Sequence, residues 1–222
     1  MPPLELLDNF LQLLVAATGS LWSLWLFRKN KQTVFAFLCS GLMCWALGLV
    51  FWLLYAFLRG YSPLEPSPAN FAWIGSLLCL TSIGQALAGP EEKRWYPPLA
   101  FLAPLITIIF AIAWFVEMEY ASPWVNTFWC LAFLSLAWVS FRGFLYALQH
   151  KQRYRAIYHA IVLAMVFFNE MMLHISLFIW PEEYLRFNGY YLFDMLVTLT
   201  LGLMTPALLY VVTKEPQPAS AV

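Results

Sequence analysis

Seven apolar stretches, each long enough to cross a lipid bilayer and each followed by a short run of turn residues, fill almost the whole chain. A helix needs about 20 mostly apolar residues to cross a hydrocarbon layer of about 30 Å. The stretches run over 8–27, 33–58, 70–89, 97–117, 124–149, 156–180 and 190–212. Breakers such as Arg28-Lys29-Asn30-Lys31, Gly60-Tyr61-Ser62-Pro63, Pro90-Glu91-Glu92-Lys93, Ala121-Ser122-Pro123 and Pro181-Glu182-Glu183 separate them. Lipid offers the backbone no hydrogen-bond partners, so apolar runs of this length cross as helices, which satisfy their own backbone. The expectation is an all-α, polytopic membrane protein: one seven-helix bundle over 1–222 ending in a short cytoplasmic tail at 213–222, with no room for a soluble catalytic domain.

Composition sharpens this. Of the 222 residues, 62% are hydrophobic and 11% charged, against roughly 25% charged in ordinary soluble domains. Twelve basic residues balance twelve acidic ones, so no broad basic surface exists to neutralise a nucleic-acid backbone, and nucleic acid is excluded as a partner. The charges are also sorted along the chain. Arg28, Lys29, Lys31, Lys93, Arg94, Lys151, Arg153, Arg155 and Lys214 fall in alternate loops, whereas only Arg59 and Arg186 fall in the others. Cytoplasmic loops carry the Lys and Arg excess. The expected orientation is N-terminus outside and C-terminus inside, and the acidic flank before the first stretch does not read as a cleaved signal peptide.

Cys39, Cys44, Cys79 and Cys130 all fall within the apolar stretches and read as packing residues. Ser40, Cys44 and Gly48 recur at i, i+4 and would let a neighbouring helix approach closely. Pro104 and Pro206 lie inside the fourth and seventh stretches, where each removes a backbone donor and should bend its helix. Most Trp residues sit toward stretch ends, as an interfacial belt requires. Trp45 and Trp138 sit near midpoints and read either as core or as the wall of a ligand pocket. Arg142 lies close enough to the inner end of the fifth stretch to snorkel to the interface as an anchor.

Ionisable groups at bilayer depth cost about 2.5 kcal/mol or more unless paired or hydrated, which makes them the most informative residues. The sixth stretch carries His159, Asn169, Glu170 and His174, and the seventh Asp194, Thr198 and Thr200. At 100° per residue, His159, Glu170 and His174 share one face, with Asn169 about 100° away. His174 and Asp194 fall at matching depths, and one turn deeper so do Glu170 and Thr198. Two rungs are therefore expected, His174 with Asp194 and Glu170 with Thr198. They read either as interhelical hydrogen bonds or, together with Asn169, Trp45 and Trp138, as the lining of a ligand pocket near the last three helices.

Other chemistries fare worse. A bis-histidine haem needs two helices at one depth, but His159 and His174 share a helix and His150 lies in a loop. His174, Glu170 and Asp194 lack any strong zinc signature, and no lysine stands in the last stretch to hold retinal. No nucleotide or nucleophile-elbow motif occurs. The expectation is a non-enzyme with no cofactor and no metal.

Residues Trp45-Ala46-Leu47-Gly48-Leu49-Val50-Phe51-Trp52-Leu53-Leu54-Tyr55, followed by Pro66-Ser67-Pro68-Ala69-Asn70, resemble the multi-helix membrane input regions of bacterial histidine kinases and GGDEF or EAL signalling proteins. The likeness covers about 45–84 and the overall topology; Asn70 stands where that motif has Asp, and no output domain follows. It implies a bacterial inner-membrane protein with a stimulus site whose signal leaves through a separate membrane or cytoplasmic partner. The loop 149–155 reads either as a contact for that partner or as plain positive-inside residues that touch anionic lipid. Apart from the likeness, Ser67 and Pro68 suit the N-cap and first turn of a helix. The leading expectation is therefore a sensor or receptor for a small molecule or lipid. The alternatives are a proton or small-solute transporter component using Glu170 and Asp194, or a structural subunit of a membrane complex.

Overall fold

The computed structural model describes residues 3–64, 66–117, 122–178 and 187–215, with backbone alone at 113–117 and 175–178. Trp180, Glu182, Glu183, Arg186 and the end of the polar tail lie outside the described residues. The chain is helical: α1 (Pro3–Asn30), α2 (Thr33–Arg59), α3 (Pro68–Leu87), a short α4 (Pro90–Lys93), α5 (Leu102–Glu117), α6 (Pro123–Gln149), α7 (Arg153–Phe178) and α8 (Gly189–Lys214). Among the described residues there is no strand. Among the described residues, six helices, all except α4 and α5, are long and apolar enough to cross a membrane.

The fourth expected span differs most from its sequence reading. It opens as a 3₁₀ turn, Pro98–Phe101, and becomes α-helical only at Leu102. Pro104 therefore sits in the first α turn, where its missing N–H costs little, rather than kinking the middle of a helix. What remains is a helix of 16 residues.

The six long helices close into a ring. The order around it is α1, α2, α3, α6, α7, α8, with α8 packed back on α1 and α5 lying against α6 outside the ring. Contacts fix the directions. Gln12 meets Asp194 and Ser23 meets Thr205, so α1 and α8 run parallel. Thr81 meets Ser135 and Trp73 meets Trp129, so α3 and α6 are parallel as well. The segment between α3 and α6 therefore carries the chain back from one end of the bundle to the other. All the basic turns consequently gather at one end, where Arg155 pairs with Glu92 and Glu215 accepts from the N–H of Tyr154 at 2.6 Å.

Helix α1 is built inside out. Its buried residues are Asp8, Gln12, Ala16, Gly19, Ser20, Ser23 and Leu26, while Leu7, Phe10, Leu14, Leu21 and Trp25 are exposed on its outer face. Small and hydroxylated residues let backbones approach where lipid removes the hydrophobic drive between helices. Thr205 accordingly donates to the Gly19 carbonyl at 3.3 Å across the α1–α8 seam. In the α2–α3 seam, Gly41, Cys44 and Gly48 form the close contact and Ser40 is exposed, a shift of one residue from the expected stripe. All four cysteines are free.

Helix ends follow their sequence signals. Ser67 caps α3 ahead of Pro68, and the Asn70 side-chain oxygen accepts from the Ser67 N–H at 2.9 Å and from its hydroxyl at 2.7 Å. Asn supplies this acceptor as well as Asp would. Asn188 caps α8 by accepting from the N–H of Tyr190 at 2.9 Å, and Gly60 takes the left-handed conformation that ends α2.

Candidate functional site

The polar groups at bilayer depth separate into two clusters and an ion-pair system at the basic end. The first lies where α1, α2 and α8 meet. Gln12 is its centre. Its amide donates to Asp194 Oδ1 at 2.6 Å and to Thr198 Oγ1 at 3.1 Å, while its carbonyl accepts from the indole N–H of Trp45 at 2.9 Å. An indole can only donate, so Trp45 fixes which way the Gln12 amide points and turns its NH₂ toward Asp194. Thr198 in turn donates to the Asp194 backbone carbonyl at 3.1 Å. The carboxyl of Asp8 completes the cluster beside that of Asp194. Asp8 is 1% exposed, and neither of its oxygens has a donor.

Two facing carboxyls are both acceptors when ionised. The two carboxyls therefore need a proton or a positive charge between them. From this cluster an aromatic chain crosses the molecule: Trp45 lies 6.4 Å from Trp73, Trp73 6.5 Å from Trp129, and Trp129 stacks on Phe133 at 5.3 Å. Gly48 makes room for this chain, since a Cβ there would stand 2.5 Å from Trp73 Nε1.

The second cluster belongs to α7. Glu170 and His174 approach one another at 3.7 Å, and the Phe110 ring of α5 covers His174 with centroids 4.8 Å apart. Glu170 lines a cavity of about 10 Å³ with Thr107, Cys130, Trp129 and Phe133, near the lower limit for one ordered water. The expected rungs are therefore split. Asp194 and Thr198 bond to α1, whereas Glu170 and His174 turn to α5 and α6. Each helix in a closed ring has two neighbours, and α8 turns its polar face to α1 while Phe168 and Phe193 meet across the α7–α8 seam. Asn169 is buried with its amide nitrogen unpartnered and has no bond to Glu170.

Trp138 belongs to neither cluster. It stacks on Tyr96 at 6.1 Å and touches Phe101 at 4.7 Å, under the segment leading into α5. Arg142 does not snorkel. It is 3% exposed, lies over the Trp138 ring, and keeps Nε and Nη2 unpartnered. Nearby, the fully buried His159 ring fills the space left by Gly143, and Val139 fills that left by Gly84. At the basic end the fully buried Glu92 pairs with Arg155 Nη2, and Gln152 accepts from Arg155 Nη1 at 3.2 Å. Glu215 accepts from the N–H of both Tyr154 and Arg155, which caps α7. Among the described residues, no three His, Cys, Asp or Glu side chains converge as metal ligands would.

Asp8 and Gln12 did not stand out in the sequence, because Asp8 opens the first apolar stretch, Gln12 follows one turn later, and together they look like its polar flank. The signal was present nonetheless: positions 8, 12, 16, 19 and 23 carry Asp, Gln, Ala, Gly and Ser, one small and polar helical face on an otherwise apolar helix. Comparison of the chain with protein-family models, with curated proteins and with solved structures finds no match.

Proposed function

We propose that this chain is a seven-crossing membrane protein of sensor or receptor type, with its basic end in the cytoplasm and its N-terminus outside. It reads the occupancy of the Asp8–Asp194 socket by a proton or small cationic ligand and passes that signal to a partner. One observation carries the reading: a buried carboxyl without a donor faces a second carboxyl across the seam that closes the ring. Filling the socket draws α1 and α8 together; emptying it drives them apart. Gln12 couples that movement to Trp45 on α2, and the aromatic chain extends it to α3 and α6. The segment 98–117 supports the seventh crossing, since a 3₁₀ turn and 16 α-helical residues span about 30 Å. Resemblance of 45–84 to membrane input regions of signalling proteins points the same way.

The test uses Trp45 as the reporter. In detergent or nanodiscs, intrinsic emission is titrated between about pH 4 and 9 for the wild type, Trp45→Phe and Asp194→Asn. The expected result is an emission change that disappears in both variants while helicity is retained. A titration that is flat in the wild type, or unaltered in Asp194→Asn, would refute the socket. A second reading, proton or solute transport, has the small cavity lined by Glu170, and the approach of His174 to that carboxyl, in its favour. Flux into liposomes that is lost in Glu170→Gln would select it.

A further inference from the structure

At the basic end, away from both polar clusters, α6 and α7 part around an apolar groove of about 430 Å³. The buried Ala147 and Ala156 and the half-buried Ala160 form its floor, Phe144, Leu148 and Ile157 complete its apolar lining, and the exposed Lys151 and Arg153 line it at the bundle end. We infer that this groove binds one anionic diacyl phospholipid, with the phosphate held by Lys151 and Arg153 and one acyl chain lying along the alanine floor.

Three features of the groove fit this occupant. That end is cationic and unneutralised: Lys151 and Arg153 are exposed, and among the described residues neither is in an ion pair. Of the acids nearby, Glu92 is engaged by Arg155, Glu215 by the start of α7, and the exposed Glu91 by the Tyr146 hydroxyl at 3.4 Å. The backbone there is also held. Lys151 has φ 57°, the Gln152 N–H reaches back to the Ala147 carbonyl at 2.8 Å, and the Lys151 N–H to the Leu148 carbonyl at 3.2 Å, so the backbone from which both cations extend is braced before any lipid arrives. Finally, from Lys151 to Phe144 the groove follows α6 for roughly 10 Å down from the bundle end on the side facing lipid. That gives the depth order of a phospholipid, charge outermost and hydrocarbon within, which a soluble anion does not need. Basic pockets between helices on the cytoplasmic side recognise anionic headgroups in this way. The inference concerns other helices and the opposite end from the Asp8–Asp194 socket, and it stands or falls separately.

Native mass spectrometry of the delipidated full chain tests it, by titration with phosphatidylglycerol and with phosphatidylcholine of the same acyl chains. Each surface cation favours an anionic lipid about fivefold, so the wild type should prefer phosphatidylglycerol by about thirtyfold. Lys151→Gln with Arg153→Gln should bring the preference to within about twofold. The control Lys29→Gln with Lys31→Gln, at a different turn of the same end, should leave it intact. Ala160→Leu, which fills the floor, should weaken both lipids. Equal binding of the two lipids to the wild type, or an equal loss of preference in the control, would overturn the site. Glycerol 3-phosphate competing as strongly as the lipid would overturn the acyl-chain assignment.

Discussion

Gln12 shows how much one amide can organise in a bundle with few polar groups. It satisfies an indole donor, a carboxylate and a hydroxyl on two other helices. Replacing it with Leu leaves Trp45 N–H and Asp194 both short of a partner, at about 1–3 kcal/mol for each buried group. Trp45→Phe removes only one donor from Gln12. Thermal unfolding in detergent should therefore place Gln12→Leu clearly below Trp45→Phe; the reverse order would deny Gln12 its central position. Glycines act at the same scale by what they leave out. A methyl at Gly48 would meet Trp73 Nε1 at 2.5 Å, and one at Gly143 would collide with the His159 ring. Each Gly→Ala change should cost about 1–3 kcal/mol by overpacking, read as a lowered melting temperature. Gly60→Ala, with open space around its Cβ but φ 79°, loses only through backbone strain of about 1 kcal/mol.

Helix α7 begins at a junction assembled from three parts of the chain. Glu215, sixty residues downstream, accepts from its first N–H groups, and Glu92 from the short α4 neutralises Arg155. Breaking a buried pair on one side leaves the other charge stranded, at about 3–5 kcal/mol, whereas replacing both with apolar residues of similar volume is close to neutral. Arg155→Met should accordingly destabilise much more than Glu92→Met combined with Arg155→Met, as measured by thermal unfolding; a double variant as unstable as the single one would mean that the pair is not what anchors α4. Removing the cap with Glu215→Ala should cost about 1 kcal/mol and speed amide exchange in the first turn of α7 only. The elements were legible where a single physical rule governed them. Hydrophobic length placed the long helices, and Ser67-Pro68 opens α3 as capping requires. Helix α5 was less legible, because its apolar run continues through Pro98, Pro104 and the 3₁₀ turn, and length alone does not report where α geometry begins.

At the scale of the whole molecule the deciding event is ring closure, which brings α8 onto α1 and sets α3 parallel to α6. Paired cysteines test both contacts in a chain freed of its four native thiols. Ser23 and Thr205 have their hydroxyls 3.1 Å apart, and Thr81 and Ser135 lie at 3.5 Å. Cysteines at either pair should cross-link efficiently under mild oxidation, and cysteines at Ser23 and Ser135 should not. Failure of the first pair would open the ring, and failure of the second would remove the reason for α5 to return the chain. The sequence by itself determined the membrane character, the helices and the sorting of charge between loops, because each follows from length, local composition or the cost of putting charge into lipid. It also exposed Glu170, His174 and Asp194, since ionisable groups at bilayer depth stand out against an apolar background. Only the tertiary structure decided their partners. Periodicity gives the direction in which a side chain leaves its own helix, but a helix in a ring has a neighbour on each side. Nothing local to α8 says whether Asp194 faces α7 or α1. That choice rests on the small residues of α1, which admit a close parallel neighbour, and it turns Asp8 and Gln12 from the polar flank of a first helix into the heart of the site.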